Sequence, residues 1–249
     1  MTRIYANAIA PFFIALGLAS LPALDAAADT FVVFGASGNV GGAIVEEALS
    51  RGHDVIGVSR NPANLTNDHP SFSAVAGDVT NPNSIAETVS GADTVIIAVN
   101  GIGEGNTPDE ATTSRAARAY IETAGQLENA TPYVIQIGGG TTLFTDGVFG
   151  LDDMDLPPGT RRHGLFYGNW QAIEAYRASE DFSWSVMTGA RGALSSGERT
   201  GRYRLGGEET LFDRNGSSYL SREDFAIAVV DMAESHAISG RRVAVGPPH

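Results

Sequence analysis

A glycine-rich loop is the part of this sequence whose residue types and spacing most clearly indicate a chemistry. Glycines at positions 35, 38 and 41 follow an apolar run at 31–34 and precede a helical pattern at 43–49. Such glycines permit a tight turn, a close approach of backbone N–H groups to phosphate oxygens, and close packing of the helix on the strand. This context favours a pyrophosphate-binding loop over a purely structural turn. The residues expected to hold the pyrophosphate are Gly35, Ser37, Gly38, Asn39, Val40 and Gly41.

The end of the second strand pattern bears on the choice between two dinucleotides. Ser59 and Arg60 stand there, about 20 residues beyond the loop, where NAD-binding proteins carry an acid for the ribose hydroxyls. A guanidinium instead pairs with a 2′-phosphate and stacks on adenine. We therefore expect NADP to be preferred. NAD is the alternative cofactor, and a solvated turn is the alternative role for Arg60.

Later strand ends supply the rest of the expected site. Asp78 and Val79 follow the third strand pattern, where the sheet edge is expected to flank adenine. Each strand end alone could be an ordinary turn, but together with the glycine loop they form a consistent row. The residues expected on the nicotinamide side are Ala98, Val99, Asn100 and Gly138.

Short apolar runs alternate with longer helical patterns along residues 29–249. The strand patterns lie at 31–34, 55–58, 74–76, 95–99, 134–137, 184–187 and 243–245. The helical patterns lie at 39–50, 82–90, 109–125, 167–179 and 221–235. The alternation predicts an α/β fold, a Rossmann-type doubly wound parallel sheet flanked by helices, in a single domain. Residues 138–164 and 189–218 are expected to be long loops at one end of the sheet.

The composition excludes several chemistries. All sixteen basic residues are arginines and there is no cysteine, so a Schiff-base lysine, a Walker-type loop, a thiol nucleophile and a disulfide are ruled out. The net charge of −13 argues against a nucleic-acid partner. The five histidines are scattered without the paired spacing of a metal site.

Residues 1–28 have the pattern of a secretory signal peptide. One positive charge at Arg3 precedes an apolar centre, and three alanines at 26–28 precede the expected cleavage point. The uncharged stretch at 4–24 leaves a membrane anchor as the alternative. We therefore predict an exported protein, periplasmic or secreted, with its domain at 29–249 and no membrane contact after cleavage.

The chain resembles the atypical short-chain dehydrogenase/reductase superfamily, in particular the NADH-flavin reductases related to biliverdin reductase B. The similar stretches include GASGNVGG at 35–42, GHDVIGVSRNPANL at 52–65, GADTVIIAVNG at 91–101 and GERTGRYRLGG at 197–207, and the likeness covers nearly all of 30–246. The resemblance implies one doubly wound domain that holds NAD(P)H and reduces flavins or similar conjugated acceptors.

The chain departs from the pattern of most short-chain dehydrogenases at the catalytic pair. Their tyrosine precedes a lysine by four residues, whereas here Tyr167 is followed at that spacing by Gln171, which can only hydrogen-bond. Glycines replace the usual serine after the fifth strand, so alcohol–ketone chemistry by the usual route is disfavoured. Flavin reduction mainly requires that the flavin ring be positioned against the nicotinamide, so the missing lysine and serine do not rule it out. Tyr167 is the one catalytic candidate, as a hydroxyl that orients the acceptor.

These observations predict an NAD(P)H-dependent oxidoreductase that acts on a small flavin-like substrate as a monomer or homodimer. A non-catalytic NAD(P)-binding sensor is the alternative, because the missing lysine and serine fit it equally well. A third hypothesis is that the exported protein keeps the fold but no longer binds a cofactor.

Overall fold

The computed structural model describes residues 28–99, 101, 105–127, 131–180, 182–189 and 194–249. The predicted signal segment, apart from Ala28, and the predicted site residue Asn100 lie outside the described residues. Within the ranges described, no helix combines the length and the apolar character needed to cross a membrane.

Ten strands and five longer helices alternate along the described chain. The strands are β1 Thr30–Phe34, β2 Asp54–Ser59, β3 Phe72–Ala76, β4 Thr94–Ile97, β5 Tyr133–Gly138, β6 Phe144–Thr145, β7 Val148–Phe149, β8 Trp184–Thr188, β9 Arg204–Gly206 and β10 Arg241–Gly246. The helices are α1 Asn39–Ser50, α2 Pro82–Val89, α3 Thr112–Leu127, α4 Arg161–Arg177 and α5 Arg222–Ser235.

Eight strands form one sheet in the order β3-β2-β1-β4-β5-β8-β10-β9. Every neighbouring pair is parallel except β10 with the edge strand β9. The sheet grows outward in opposite directions from β1 and β4, as in doubly wound folds. The predicted Rossmann-type α/β single domain is therefore confirmed.

Apolar residues on alternate positions of the central strands enter two separate cores. Phe31 and Val33 of β1 belong to the core beneath α1 and α5. Val32 and Phe34 belong to the opposite core, beneath α2, α3 and α4. Because both faces are covered, a continuous apolar run rather than an alternating one marks such a strand.

The structure differs from the predicted elements at α4 and in the two predicted loops. Helix α4 begins at Arg161 rather than 167, because the Thr160 side chain caps it by accepting a hydrogen bond from the backbone N–H of His163. The region 138–164 also contains the small hairpin of β6 and β7, and the region 189–218 contains β9. These strands are two or three residues long, too short to leave a periodic pattern in the sequence.

Helix α1 packs on the end of β1 through a position that has no room for a side chain. A Cβ built on Gly41 would lie 2.2 Å from the carbonyl oxygen of Gly35. The neighbouring Gly42 has space, since its Cβ would lie 3.5 Å from the nearest atom. Of these two helix residues, Gly41 alone must be glycine for the helix to approach the loop.

We expect Gly41→Ala to lower the free energy of unfolding by about 1–3 kcal/mol, because the added methyl group overlaps backbone that cannot yield. Gly42→Ala is the matched control. It should be neutral or stabilising by up to about 1 kcal/mol, because alanine favours the helix. Urea denaturation of both variants checks this, and equal destabilisation by the two substitutions would contradict the packing argument.

Candidate dinucleotide-binding site

A cavity of about 820 Å³ opens at the carboxyl ends of the parallel strands. It is lined by residues that follow β1, β2, β3, β4, β5 and β8. The lining includes the residues that follow β1 and β4, the two neighbouring strands from which the sheet grows in opposite directions. Doubly wound proteins bind ligands in this crevice, and the volume is that of a cofactor-sized site.

The fold brings most of the sequence-predicted cofactor residues to this one cavity. Gly41 is the described exception, because it packs under the loop rather than facing the opening. The predicted residues that line the cavity are Gly35, Ser37, Gly38, Asn39, Val40, Ser59, Arg60, Asp78, Val79, Ala98, Val99 and Gly138.

The glycine loop forms a backbone cradle at the start of α1. Gly35 adopts a left-handed conformation, with a φ of 81°. A Cβ built on Gly35 would lie 2.5 Å from the carbonyl oxygen of Ala98. Gly38 caps the helix without a side-chain hydrogen bond, so among the described residues no capping side chain occupies the first-turn N–H groups at this end. A pyrophosphate fits the cradle, because it needs those N–H groups and close contact with bare backbone.

The side chain of Asn39 serves a structural purpose beside the loop. Its amide nitrogen donates to the carbonyl oxygen of Leu194 at 2.8 Å, and the guanidinium of Arg222 donates to its carbonyl oxygen. These contacts tie the wall formed by Leu194 to the start of α1. The backbone N–H of Asn39 remains the group suited to a phosphate.

One end of the cavity carries two arginines around a single carboxylate. Arg60 is exposed at the end of β2, and Arg115 of α3 donates to the Thr80 hydroxyl at 3.1 Å. The Asp78 carboxylate accepts from the N–H and the hydroxyl of Thr80, each at 2.8 Å. Burial raises the pKa of Asp78, but the Thr80 hydrogen bonds and the charges of Arg115 and Arg60 outweigh it and lower that pKa. This end suits an adenosine whose amino group meets Asp78 and whose phosphate meets a guanidinium.

The opposite end of the cavity is built from small and apolar residues. A Cβ on Gly138 would lie 2.6 Å from the Thr188 hydroxyl, and a Cβ on Gly139 would lie 3.1 Å from the Asn169 side chain. These two glycines thus let β5 pack closely on β8 and α4 while leaving a flat wall. The residues described at this end are Ile137, Gly138, Gly139, Gly140, Thr141, Leu165, Phe166, Asn169, Gly189 and Leu194.

Tyr167 and Gln171 lie on α4 but are not among the residues that line the cavity. The Tyr167 ring packs against His163 with ring centroids 4.6 Å apart. Gln171 donates to Asp109 at 2.7 Å and accepts from Ser114 at 3.0 Å, so it joins α4 to α3. The catalytic role of Tyr167 stays a prediction. Sequence reasoning missed Phe166, which precedes the predicted helix start at 167, and Asn169, whose place beside Gly139 depends on how α4 packs.

Residues 194–201, the wall segment, are held by the first turn of α5. The carboxylate of Glu223 accepts from the Gly197 N–H and the Ser196 hydroxyl, each at 2.8 Å. The carboxylate of Asp224 accepts from the N–H groups of Thr200 and Gly201, each at 2.8 Å. Charged hydrogen bonds therefore hold the wall segment, in addition to the packing of Leu194 on the core beneath α1 and α5.

The fold and the cavity together define a Rossmann-type dinucleotide-binding protein. The sequence profile of the NAD(P)H-binding family matches residues 35–236. The chain belongs to this family, and the predicted likeness to the atypical short-chain dehydrogenases/reductases is confirmed.

Three similar proteins match this chain over most of its length. YwnB of Bacillus subtilis, an uncharacterized protein, is 27% identical over 203 residues, which cover 81% of this chain and 91% of YwnB. The structure of a "putative exported protein" from Burkholderia pseudomallei is 30% identical, with a TM-score of 0.72 over 88% of this chain and 99% of that chain. A "putative NADH-flavin reductase" from Streptococcus pneumoniae is 26% identical, with a TM-score of 0.73 over 88% of this chain and 100% of that chain. The family and the Streptococcus pneumoniae relative indicate an NAD(P)H-dependent oxidoreductase.

We expect Glu223→Gln to lower the free energy of unfolding by about 1–2 kcal/mol near neutral pH. Burial raises the pKa of Glu223, but hydrogen bonds from Gly197, Arg222 and Ser196 lower it to about 2. Because that value lies below the unfolded pKa of about 4.3, the stabilisation is complete above about pH 4.3 and is lost as the pH falls toward 2.

Urea denaturation at about pH 7 and about pH 3 measures this dependence. The difference in stability between Glu223→Gln and the parent protein should narrow at the lower pH. Glu46→Gln removes the same charge from an exposed position on α1 and should show little difference at either pH. A Glu223 effect that is independent of pH would contradict the charged tether.

Proposed function

We propose that the protein is an NADPH-preferring reductase that transfers a hydride to a flavin or a similar conjugated acceptor. One observation carries the proposal, the contrast between the two ends of the cavity. The adenosine end carries Arg60 and Arg115, whereas the acceptor end, beside Gly138 and Gly139, has no titratable side chain among the residues described. The first property suits a 2′-phosphate. The second suits a reaction that needs a positioned ring rather than a protein proton donor.

The chemistry divides between cofactor and chain. A bound reduced nicotinamide would supply the hydride, and the reduced flavin takes its proton from water or stays anionic. The glycine loop would hold the pyrophosphate, Ser59 and Arg60 the 2′-phosphate, and the flat wall at Gly138 and Gly139 the face of the acceptor. The Asn169 amide nitrogen lies beside that wall and donates one hydrogen to the Leu165 carbonyl oxygen at 3.0 Å. Its second hydrogen would suit a carbonyl group of an isoalloxazine.

We further propose that the protein acts outside the cytoplasm as a monomer or homodimer. The signal-peptide pattern of residues 1–28 supports export, and so does the designation of the Burkholderia pseudomallei relative as exported. Its substrate would be a small molecule.

We expect Arg60→Ala to weaken NADPH binding by about 1–3 kcal/mol and to leave NADH binding nearly unchanged, because only NADPH carries the 2′-phosphate. Arg214→Ala removes an arginine from an exposed position away from the cavity and should leave both affinities unchanged. Calorimetric titration of residues 29–249 with each cofactor measures the effect. Equal losses for NADPH and NADH would remove the argument for NADP.

Turnover separates the reductase from the alternative, a sensor that binds NADPH without consuming it. Oxidation of NADPH is followed by absorbance with flavin mononucleotide or riboflavin as the acceptor, under argon, so that oxygen does not reoxidise the product. A reductase consumes NADPH in proportion to the flavin added. Binding without consumption would support the sensor.

We expect Asn169→Ala to raise the KM for the flavin about tenfold, because the lost amide orients the acceptor. Its dissociation constant for NADPH should stay within about twofold. Tyr167→Phe is the companion variant, since it removes the hydroxyl that the sequence predicts to orient the acceptor. A loss of flavin turnover in Tyr167→Phe alone would move the orienting role from Asn169 to Tyr167.

A further inference from the structure

We infer that Arg115 of α3 is an adenine-binding residue that completes the adenosine end of the cavity. The inference rests on the proposed dinucleotide function and adds a residue that no sequence pattern marks. Arg115 lies on the helix that follows β4, far along the chain from the other residues at that end. It is half-buried and lines the same cavity as Arg60, Asp78 and Thr80.

A short chain of hydrogen bonds fixes the position of the Arg115 side chain. Its guanidinium donates to the Thr80 hydroxyl, which in turn donates to the Asp78 carboxylate. A tethered guanidinium loses less conformational freedom when a ligand binds than a free one does. Its planar surface is thereby held next to the carboxylate that is suited to the amino group of adenine.

The Asp78 carboxylate and the Arg115 guanidinium at this end complement the hydrogen-bonding groups and the π face of a purine. Both Arg115 and Arg60 stabilise the ionised Asp78, which therefore stays an acceptor across the physiological pH range. An adenine ring offers an amino donor to that carboxylate. It also offers ring nitrogens and a π face to a guanidinium, which donates hydrogen bonds and stacks on aromatic rings.

The order of the strands assigns different tasks to the two arginines. The glycine loop follows β1, Arg60 follows the adjacent β2, and Asp78 follows the outermost β3. The switch point is the gap between β1 and β4, where the sheet reverses its direction of growth. A dinucleotide that runs outward from it places its adenosine ribose near β2 and its base near β3. Arg115 is tied to Thr80, just beyond β3. It therefore stands at the base, whereas Arg60 stands at the ribose phosphate.

Calorimetric titration with NADPH, NADH, 2′,5′-ADP and 5′-AMP separates these tasks. We expect Arg115→Ala to weaken all four ligands by a similar factor of about ten, because all four contain the adenine ring. Arg60→Ala should weaken only NADPH and 2′,5′-ADP. The two nucleotide fragments lack nicotinamide, so their binding reports on the adenosine end without any turnover.

Arg118→Ala is the matched control, one turn further along α3. Arg118 is exposed and its guanidinium donates to Ser114 and Asp109, outside the main cavity. Its loss should leave all four affinities unchanged. Arg115→Lys keeps the charge but not the planar surface, so its affinities should also fall while its thermal unfolding midpoint stays near that of the parent protein.

Two results would overturn the inference while the proposed function stands. One is unchanged affinity in a folded Arg115→Ala protein, and the other is a loss confined to the two ligands that carry a 2′-phosphate. A parent protein that binds neither NADPH nor NADH would instead overturn the proposed function, and this inference with it.

Discussion

The close approach of bare backbone at the end of β1 is the constraint on which the rest of this structure depends. Gly35 turns the chain beneath the carbonyl oxygen of Ala98, and Gly41 lets α1 rest on that turn. A side chain at either position would push the helix away from the gap between β1 and β4. The N–H groups at the start of α1 would then lose their place at the switch point, where they face the ligand. The position of α1 at the site therefore depends on the absence of a side chain at both positions.

Arginine makes all the side-chain contacts to carboxylates that arginine and lysine share in most proteins, because this sequence has no lysine. Arg199 donates to the buried carboxylate of Glu47 on α1, which also accepts from Arg51. Burial raises the pKa of Glu47, but these two guanidinium groups outweigh it and lower the pKa, so the carboxylate is ionised when it meets them. Planar guanidinium groups suit such shared contacts because each presents several donors in fixed directions. This network fastens the wall segment to α1 and so supports the cavity from outside.

The sequence was sufficient to predict the parts of the fold and site that rest on local patterns. The glycine loop, the strand runs and the row of strand ends are each readable within a few residues. The described residues of the predicted site other than Gly41 line one cavity. Arg115 was beyond such reasoning, because only the packing of α3 beside α2 brings it to Thr80. The early start of α4 was missed because it depends on the Thr160 cap and on Gly164, whose Cβ would lie 2.8 Å from the backbone of Asn106.

The replacement of the usual lysine by Gln171 is best understood as a structural change that redirects the chemistry. A lysine four residues after the tyrosine lowers the tyrosine pKa, and an ammonium needs acceptors around it. Gln171 instead both donates to Asp109 and accepts from Ser114, which satisfies its amide within the contact between α3 and α4. Because these two hydrogen bonds hold Gln171 between α3 and α4, its side chain does not extend to a ribose. Under the proposed function, the acceptor is one that receives a hydride without a proton from the protein, which conjugated rings such as flavins do and simple ketones do not.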